Sequence, residues 1–210
     1  MIRAVIFDFG NVLCTFDIRR FVRNLSAQTG RPAETIRQGI HASVALIREY
    51  ESGLISSDDF FMRVNAMTGL MLSREEFRMA YCNIFSPIPP TFALIRALKP
   101  RYALGLLSNT NPWHFECAIR PVEVFPLFDA VTLSYVVKAM KPAEAIYRDM
   151  LGKLSVEGDA CVYIDDIRDN IDAAARLGMH GIHYTTHEDL LGQLASTGVS
   201  IPVAFPSDFP

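Results

Sequence analysis

The chain has 210 residues, 50% of them hydrophobic, with 20 Lys and Arg against 23 Asp and Glu and a formal net charge of −3. That is enough apolar material for a sizeable core and too little basic charge to expect nucleic acid or an anionic membrane surface as a partner. No run of 18 uncharged apolar residues occurs, and the short apolar stretch at the N-terminus carries an acid, so neither a membrane span nor a secretory signal is expected.

The first predicted element is the strand "AVIFDF" at residues 4–9, in which the β-formers Val5, Ile6 and Phe7 lead to Asp8 and then to a Gly10-Asn11 turn. From about residue 18 to 88 the pattern is helical and no strand is expected. "DIRRFVRNLSAQTG" places Ile18, Phe21, Val22 and Leu25 on one face. "SSDDFFMRVNAMTG" opens with Ser/Asp capping chemistry and closes at Gly69. "SREEFRMAYCNIF" begins with the capping-box pair Ser73 and Glu76. Linkers are expected near residues 14–17 and at the proline cluster "SPIPP" (86–90).

Beyond that cluster helices and strands alternate. The helix "PTFALIRALK" precedes the strand "YALGLLS" (102–108), and "AVTLS" (130–134) follows. The helix "PAEAIYRDMLGKL", started by Pro142, leads to "ACVYID" (160–165). "RDNIDAAARLG", ending at Gly178, leads to "GIHY" (181–184). Alternation with nearly continuous apolar strands predicts an α/β fold, a Rossmann-like doubly wound parallel sheet covered on both faces. More than 90 residues between the first two strands is too long for one crossover. The expected division is therefore a core of residues 1–16 and 87–210 and an inserted helical domain of residues 17–86. The proline-rich end, "VSIPVAFPSDFP", reads as an extended surface tail.

Cys14, Cys82, Cys117 and Cys161 show no CxxC spacing and read as buried free thiols of a reducing, cytoplasmic compartment. His41, His180, His183 and His187 show no ligand spacing, and the Phe60-Phe61 pair reads as helix packing. Trp113 and His114, just after the second strand, either face the site or serve packing.

In open α/β sheets ligands bind at the carboxyl ends of the strands. Four polar groups fall there: Asp8, Ser108-Asn109-Thr110, Lys141 in "AMKP", and Asp165-Asp166. Acids converging with one lysine make a place for Mg²⁺ and phosphate, since Mg²⁺ takes one or two carboxylates together with carbonyls, waters and substrate oxygens.

The ordered motifs "FDFGNVL", "LLSNT", "MKP" and "YIDDIRDNIDAA" resemble those of the haloacid dehalogenase (HAD) superfamily, in its Mg²⁺-dependent phosphatase branch with an α-helical (C1-type) cap. The resemblance covers nearly the whole chain and implies a hydrolase that removes phosphate from a small phosphorylated metabolite, a sugar 1-phosphate being one candidate, through an aspartyl-phosphate. It implies Asp8 as nucleophile and metal ligand, with the Gly10 carbonyl, Asp166 and Asp165, directly or through water, completing a Mg²⁺ site that also accepts Mn²⁺. It implies Ser108 and the Asn109 backbone as phosphoryl-binding groups, Lys141 as the neutralising cation, and Asn170 as the residue orienting the acidic loop. Two alternatives are a metal-free 2-haloacid dehalogenase and a catalytically weak phosphate-binding or regulatory protein. Either a monomer or a homodimer is expected. One departure stands out: at Gly10 most family phosphatases carry a second aspartate, which protonates the leaving oxygen and then activates water. Asp17 is the next carboxylate along the chain, read either as a substitute for that acid or as a solvated linker residue.

Overall fold

The computed structural model describes residues 1–201. In chain order the elements are β1 (Ala4–Phe7), β2 (Cys14–Phe16), α1 (Ile18–Thr29), α2 (Ala33–Ala42), α3 (Val44–Glu51), α4 (Ser57–Thr68), α5 (Arg74–Cys82), β3 (Phe85–Pro87), α6 (Pro89–Leu98) and β4 (Ala103–Ser108). There follow α7 (Pro112–His114, continued by a π turn over Phe115–Ile119), β5 (Ala130–Leu133), α8 (Ser134–Val137), α9 (Glu144–Leu154), β6 (Cys161–Asp165), α10 (Arg168–Ala175), β7 (His180–His183) and α11 (His187–Ser196). Most of the tail expected over residues 199–210 lies outside the described residues. Its beginning is held down, with Val199 buried and the Ser200 N–H donating to the Tyr102 hydroxyl at 2.7 Å.

Five strands form one parallel sheet in the order β5-β4-β1-β6-β7. Strands bury alternate residues on opposite faces. Val5, Phe7, Leu104, Leu106, Val162 and Ile164 pack on one side with Leu94 and Leu98 of α6 and Leu190 and Leu194 of α11. Ala4, Ile6, Leu107, Cys161 and Tyr163 pack on the other with Ile146, Tyr147 and Met150 of α9 and Ile171 and Ala174 of α10. With both faces covered, the strands have no polar side to show, hence their continuous apolar runs. The chain builds outward from β1 to β4 and β5, then returns to place β6 and β7 on the far side. The direction reverses between β1 and β6, so a crevice opens at their carboxyl ends, where Asp8 and Asp165 lie.

Helices α1–α5 enclose a second core around Phe21, Leu25, Tyr50, Phe60, Phe77 and Tyr81, with the Tyr50 and Phe60 rings stacked at 4.5 Å. The expected capping box of Ser73 with Glu76 forms, and the expected Ser/Asp cap takes the same form with Ser56 and Asp59, each cap being worth about 1 kcal/mol. Asp17 accepts from the Arg19 N–H as the N-cap of α1, while Gly30 and Gly69 close α1 and α4 in the left-handed conformation. Trp113, from the sheet side, is buried in this helical core, so packing is the role it takes.

Several expectations are corrected. A strand does occur inside the stretch read as helical: β3 pairs antiparallel with β2, Phe16 facing Phe85 and Cys14 facing Pro87, so both linkers form one ribbon. Three residues ending in proline carry no strand signal of their own, and an isolated edge is where proline is tolerated. Ile18, assigned to the packed face of α1, is 42% exposed because Asp17 caps the helix one residue earlier and turns its first residue outward. Pro142 does not start α9, which begins at Glu144, and the Lys141–Pro142 peptide is cis. Ser134 opens α8 instead of ending β5. The four cysteines are not all free: Cys82 at the end of α5 and Cys117 in the π turn form a disulfide with Cα atoms 6.1 Å apart, while Cys14 and Cys161 are buried thiols. A separation of 35 residues conceals this pair, because only tertiary packing brings α5 against α7.

Peptide mapping under non-reducing conditions is expected to recover Cys82 linked to Cys117, with Cys14 and Cys161 alkylated only after denaturation. Alkylation of all four in the native, unreduced protein would contradict the arrangement.

Candidate active site

Asp8 is the residue after β1, and its N–H still bonds to the Ile164 carbonyl of β6 at 2.9 Å, which seats it in the crevice. Its Oδ1 accepts from the Phe9 N–H at 2.7 Å and meets Lys141 Nζ at 2.7 Å. No hydrogen bond reaches Oδ2 among the described residues, so one oxygen is held and the other is available. Burial pushes the Asp8 carboxyl up to about 7, with the charge of Asp165 adding to the effect and Lys141 opposing it.

Lys141 is itself buried. Its ammonium touches Asp8 Oδ1 and Asp165 Oδ2, each at 2.7 Å, and the Leu107 carbonyl at 3.4 Å, which occupies its three protons. These two carboxylates raise its pKa against the opposing effect of burial, so it is a fixed cation. Its main chain is clamped as well: the Asn109 amide accepts from the Lys141 N–H at 2.8 Å and donates to the Lys141 carbonyl at 3.1 Å. The side chain of Asn109 thus positions Lys141, leaving the Asn109 backbone beside the cavity.

Asp165, fully buried at the end of β6, is saturated with donors. Oδ1 accepts from the Ile167 N–H at 2.8 Å and from Asn170 at 3.0 Å, and Oδ2 from Lys141, Asn170 and the Tyr163 hydroxyl. Asp166, half-buried, accepts from the Asn11 amide at 2.8 Å, and the His183 ring donates to its main-chain carbonyl at 3.0 Å. Carboxylate oxygens of Asp8, Asp165 and Asp166 lie within 4.8 Å of one another. Three carboxylates face one ammonium, and such an excess of negative oxygen ligands suits a hard cation. The Gly10 carbonyl stands on the same loop. Ser108, the last residue of β4, is buried at the neighbouring strand end. The structure therefore brings Asp8, Gly10, Ser108, Asn109, Lys141, Asp165, Asp166 and Asn170 to one crevice.

Asp17 lies apart from this group. It forms ion pairs with Arg19 and Arg23, and the Arg19 guanidinium foremost holds its carboxyl below the usual range. His114 lines the cavity, but both ring nitrogens are engaged: Nδ1 accepts from the Asn111 amide at 3.1 Å and Nε2 donates to the Tyr81 carbonyl at 3.2 Å. Burial lowers it to about 4, so it is a neutral structural histidine. Gly10 is not required by backbone geometry. The left-handed residue of that turn is Asn11, with φ 53°, and a Cβ on Gly10 would lie 3.5 Å from the Phe16 ring, an ordinary contact.

Two cavities meet over this floor. The polar one, about 260 Å³, is lined by Asp8, Lys141 and Asp166. The other, about 380 Å³, lies between sheet and helices and is walled mainly by Phe9, Phe16, Ile18, Ile47, Ile84 and Phe85. They share Gly10, Phe16, Asn109 and Glu51. Glu51 and Phe16 carry no motif signal, and Asn11 and Tyr163, though within the motifs, carry no site signal of their own. The first two sit in the helical insert and its linker, where position along the chain says nothing of position over the crevice.

These features define the class. The chain belongs to the haloacid dehalogenase-like hydrolase family, whose pattern it matches over residues 2–178. It is 30% identical to a D-ribitol-5-phosphate phosphatase of Bacteroides thetaiotaomicron, over 85% of this chain and 89% of that protein. It is 26% identical to a sesquiterpene phosphatase of Aspergillus oryzae, over 87% and 90%. A crystal structure of a HAD family enzyme from Bacteroides thetaiotaomicron, in complex with magnesium, superposes with a TM-score of 0.76 at 26% identity, covering 88% of this chain and 93% of that one. No helix among the described residues is long and apolar enough to cross a membrane.

Removing Lys141 strands two buried carboxylates. Lys141→Ala is expected to lower unfolding free energy by roughly 3–5 kcal/mol in denaturant titration without added metal. Lys99→Ala, which breaks a surface pair with Asp129, should cost under about 1 kcal/mol.

Proposed function

We propose that this protein is a Mg²⁺-dependent phosphatase of phosphorylated small molecules, acting through an aspartyl-phosphate on Asp8. The observation that carries the reading is the buried Lys141 ammonium shared between Asp8 and Asp165, which holds one Asp8 oxygen and leaves the other open to the cavity. The D-ribitol-5-phosphate phosphatase and the sesquiterpene phosphatase among its relatives support it.

In this reading Asp8 Oδ2 attacks phosphorus. Lys141 favours the ionised form of Asp8 against the effect of burial and balances the charge gathering on the phosphoryl oxygens. Ser108 Oγ and the main chain of Asn109 receive those oxygens, and Asn170 with the Ile167 N–H locks Asp165 so that Lys141 cannot swing away. Asp8, Asp166 and the Gly10 carbonyl would hold the Mg²⁺, with Asp165 contributing charge from beneath, its lone pairs being already engaged. When bound, the metal supplies positive charge that offsets the repulsion between a carboxylate nucleophile and a phosphate dianion. The three-carboxylate cluster also argues against the metal-free dehalogenase alternative, because a single lysine leaves it anionic.

The apolar cavity is where the leaving alcohol would sit, and its wall selects for that alcohol. Phe9, Phe16, Ile47 and Phe85 offer van der Waals surface, and the His114 nitrogens are already occupied. Alcohols with an aromatic or terpenoid-like surface fit it better than polyols or sugars, most of whose hydroxyls would be stripped of water against a wall that carries a single carboxylate, Glu51.

With Mg²⁺ present, aryl and long-chain alkenyl phosphates are expected to surpass sugar 6-phosphates in kcat/KM by at least about tenfold, the worth of one or two buried methylenes. Chelation by EDTA, or Asp8→Asn, should abolish turnover, and Mn²⁺ should restore the chelated enzyme. Full activity in EDTA would refute the mechanism, and a preference for sugar phosphates would refute the substrate class alone.

A further inference from the structure

We propose that Glu51, at the carboxyl end of α3 in the helical insert, is the proton-transfer residue that the β1 loop lacks at Gly10. The inference rests on the phosphatase reading above and goes beyond it, since no motif of the family pattern marks this residue.

Three observations carry it. The first is placement. Glu51 lines both the polar cavity and the apolar one, so it stands where a scissile ester oxygen would lie, with phosphorus on one side and the alcohol on the other. The second is availability. The Glu51 carboxylate is half-buried yet has no hydrogen bond or ion pair among the described residues; Arg48, one turn earlier, acts on it only at a distance. The other groups that face it are committed. The Tyr81 hydroxyl accepts from Asn111 and is held protonated, by burial first and then by the charge of Glu51. His114 is bonded at both nitrogens, Lys141 has its three protons engaged, and Asp8 and Asp166 are the carboxylates assigned above to attack and to the metal.

The third is registration. The Ser134 hydroxyl donates to the Glu51 carbonyl at 2.6 Å and accepts from the Thr110 N–H at 2.9 Å, tying Glu51 to the loop that follows Ser108. Two residues on, Gly53 is left-handed at φ +64°, and a Cβ there would fall 2.2 Å from the Tyr135 carbonyl, so only glycine allows this approach. Lys138, which caps the carboxyl end of α8, donates to the Gly53 carbonyl. The end of α3 is thus docked on the sheet domain rather than hanging over it. Burial also pushes the Glu51 carboxyl up to about 7, with Arg48 opposing, which suits a group that must give a proton and take one back near neutral pH.

The chemistry balances. Asp8 Oδ2 forms its bond to phosphorus as the bond from phosphorus to the ester oxygen breaks. The electron pair stays on that oxygen, which takes the Glu51 proton and leaves as the alcohol. Water then attacks phosphorus and passes a proton to the Glu51 carboxylate. The bond from Asp8 to phosphorus breaks with its pair returning to the carboxylate, and inorganic phosphate leaves with Glu51 protonated again.

The test is Glu51→Gln, assayed with Mg²⁺ against nitrophenyl, phenyl and alkyl phosphates. With alkyl esters turnover should fall by roughly 10²–10⁴ and the dependence on leaving-group pKa should steepen. Nitrophenyl phosphate, whose leaving group needs no proton, should keep its stoichiometric burst and lose steady-state rate, because dephosphorylation of Asp8 still needs a base. Adding Gly10→Asp to the Glu51→Gln variant should restore alkyl-ester turnover, and Glu51→Asp should retain part of it. A thermal readout reports the carboxyl without catalysis. Its folded pKa lies above the unfolded value, so the native state binds the extra proton and wild type loses stability as pH rises from about 4.5 to about 7. Relative to wild type, Glu51→Gln should gain in Tm at pH 8 over pH 5. An unchanged leaving-group dependence in folded Glu51→Gln, with wild type active and Asp8→Asn dead, would overturn the role of Glu51 alone. A wild type inactive on every ester would overturn the phosphatase reading, and this proposal with it.

Discussion

Everything at the carboxyl edge of the sheet depends on one buried ammonium. Lys141 lies between Asp8 and Asp165 with all three protons engaged, and without it two buried carboxyl groups would lose their shared cation. The need to hold that cation accounts for much of the surrounding structure. Asn109 grips its main chain from the end of β4, while Asn170 and Tyr163 brace Asp165 from α10 and β6. Three strand ends are thereby joined through a single side chain. Even so, positive charge remains short, since Asp166 adds a third carboxylate with no lysine of its own. That excess of negative oxygen ligands suits a hard cation.

The helical insert is less a separate body than a second half of the same crevice. Trp113 enters its core, the Cys82–Cys117 disulfide ties α5 to the π turn, and Tyr81 and His114 stack at 4.2 Å across the junction. The β2–β3 ribbon holds both linkers together. The result is an apolar cavity opening on a charged floor, an environment in which electrostatic interactions are stronger than in bulk water. It also explains how a carboxylate carried on α3 comes to stand over a loop more than forty residues away in sequence.

Much of this was written in local order. Continuous apolar runs announced buried parallel strands, Ser56 and Ser73 announced helix starts, and the spacing of Asp8, Ser108, Lys141 and Asp165-Asp166 announced a polar crevice, because each signal needs only near neighbours along the chain. Some local signals misled. Pro142 looked like a helix start, whereas the Asn109 clamp governs that segment, and the isolated cysteines looked unpaired.

The sequence by itself determined the parallel sheet, the presence of a helical insert and the strand-end acids, since these follow from hydrophobic periodicity and from where a strand must stop. Only the tertiary structure decided which cysteines meet, that His114 is a bonded packing residue, that Asp165 is saturated while an Asp8 oxygen is free, and that Glu51 shares a cavity wall with Gly10. The physical reason is the same in each case. Burial, desolvation and hydrogen-bond saturation are properties of a place in the fold, and that place is set by contacts between segments that carry no record of one another in their residue order.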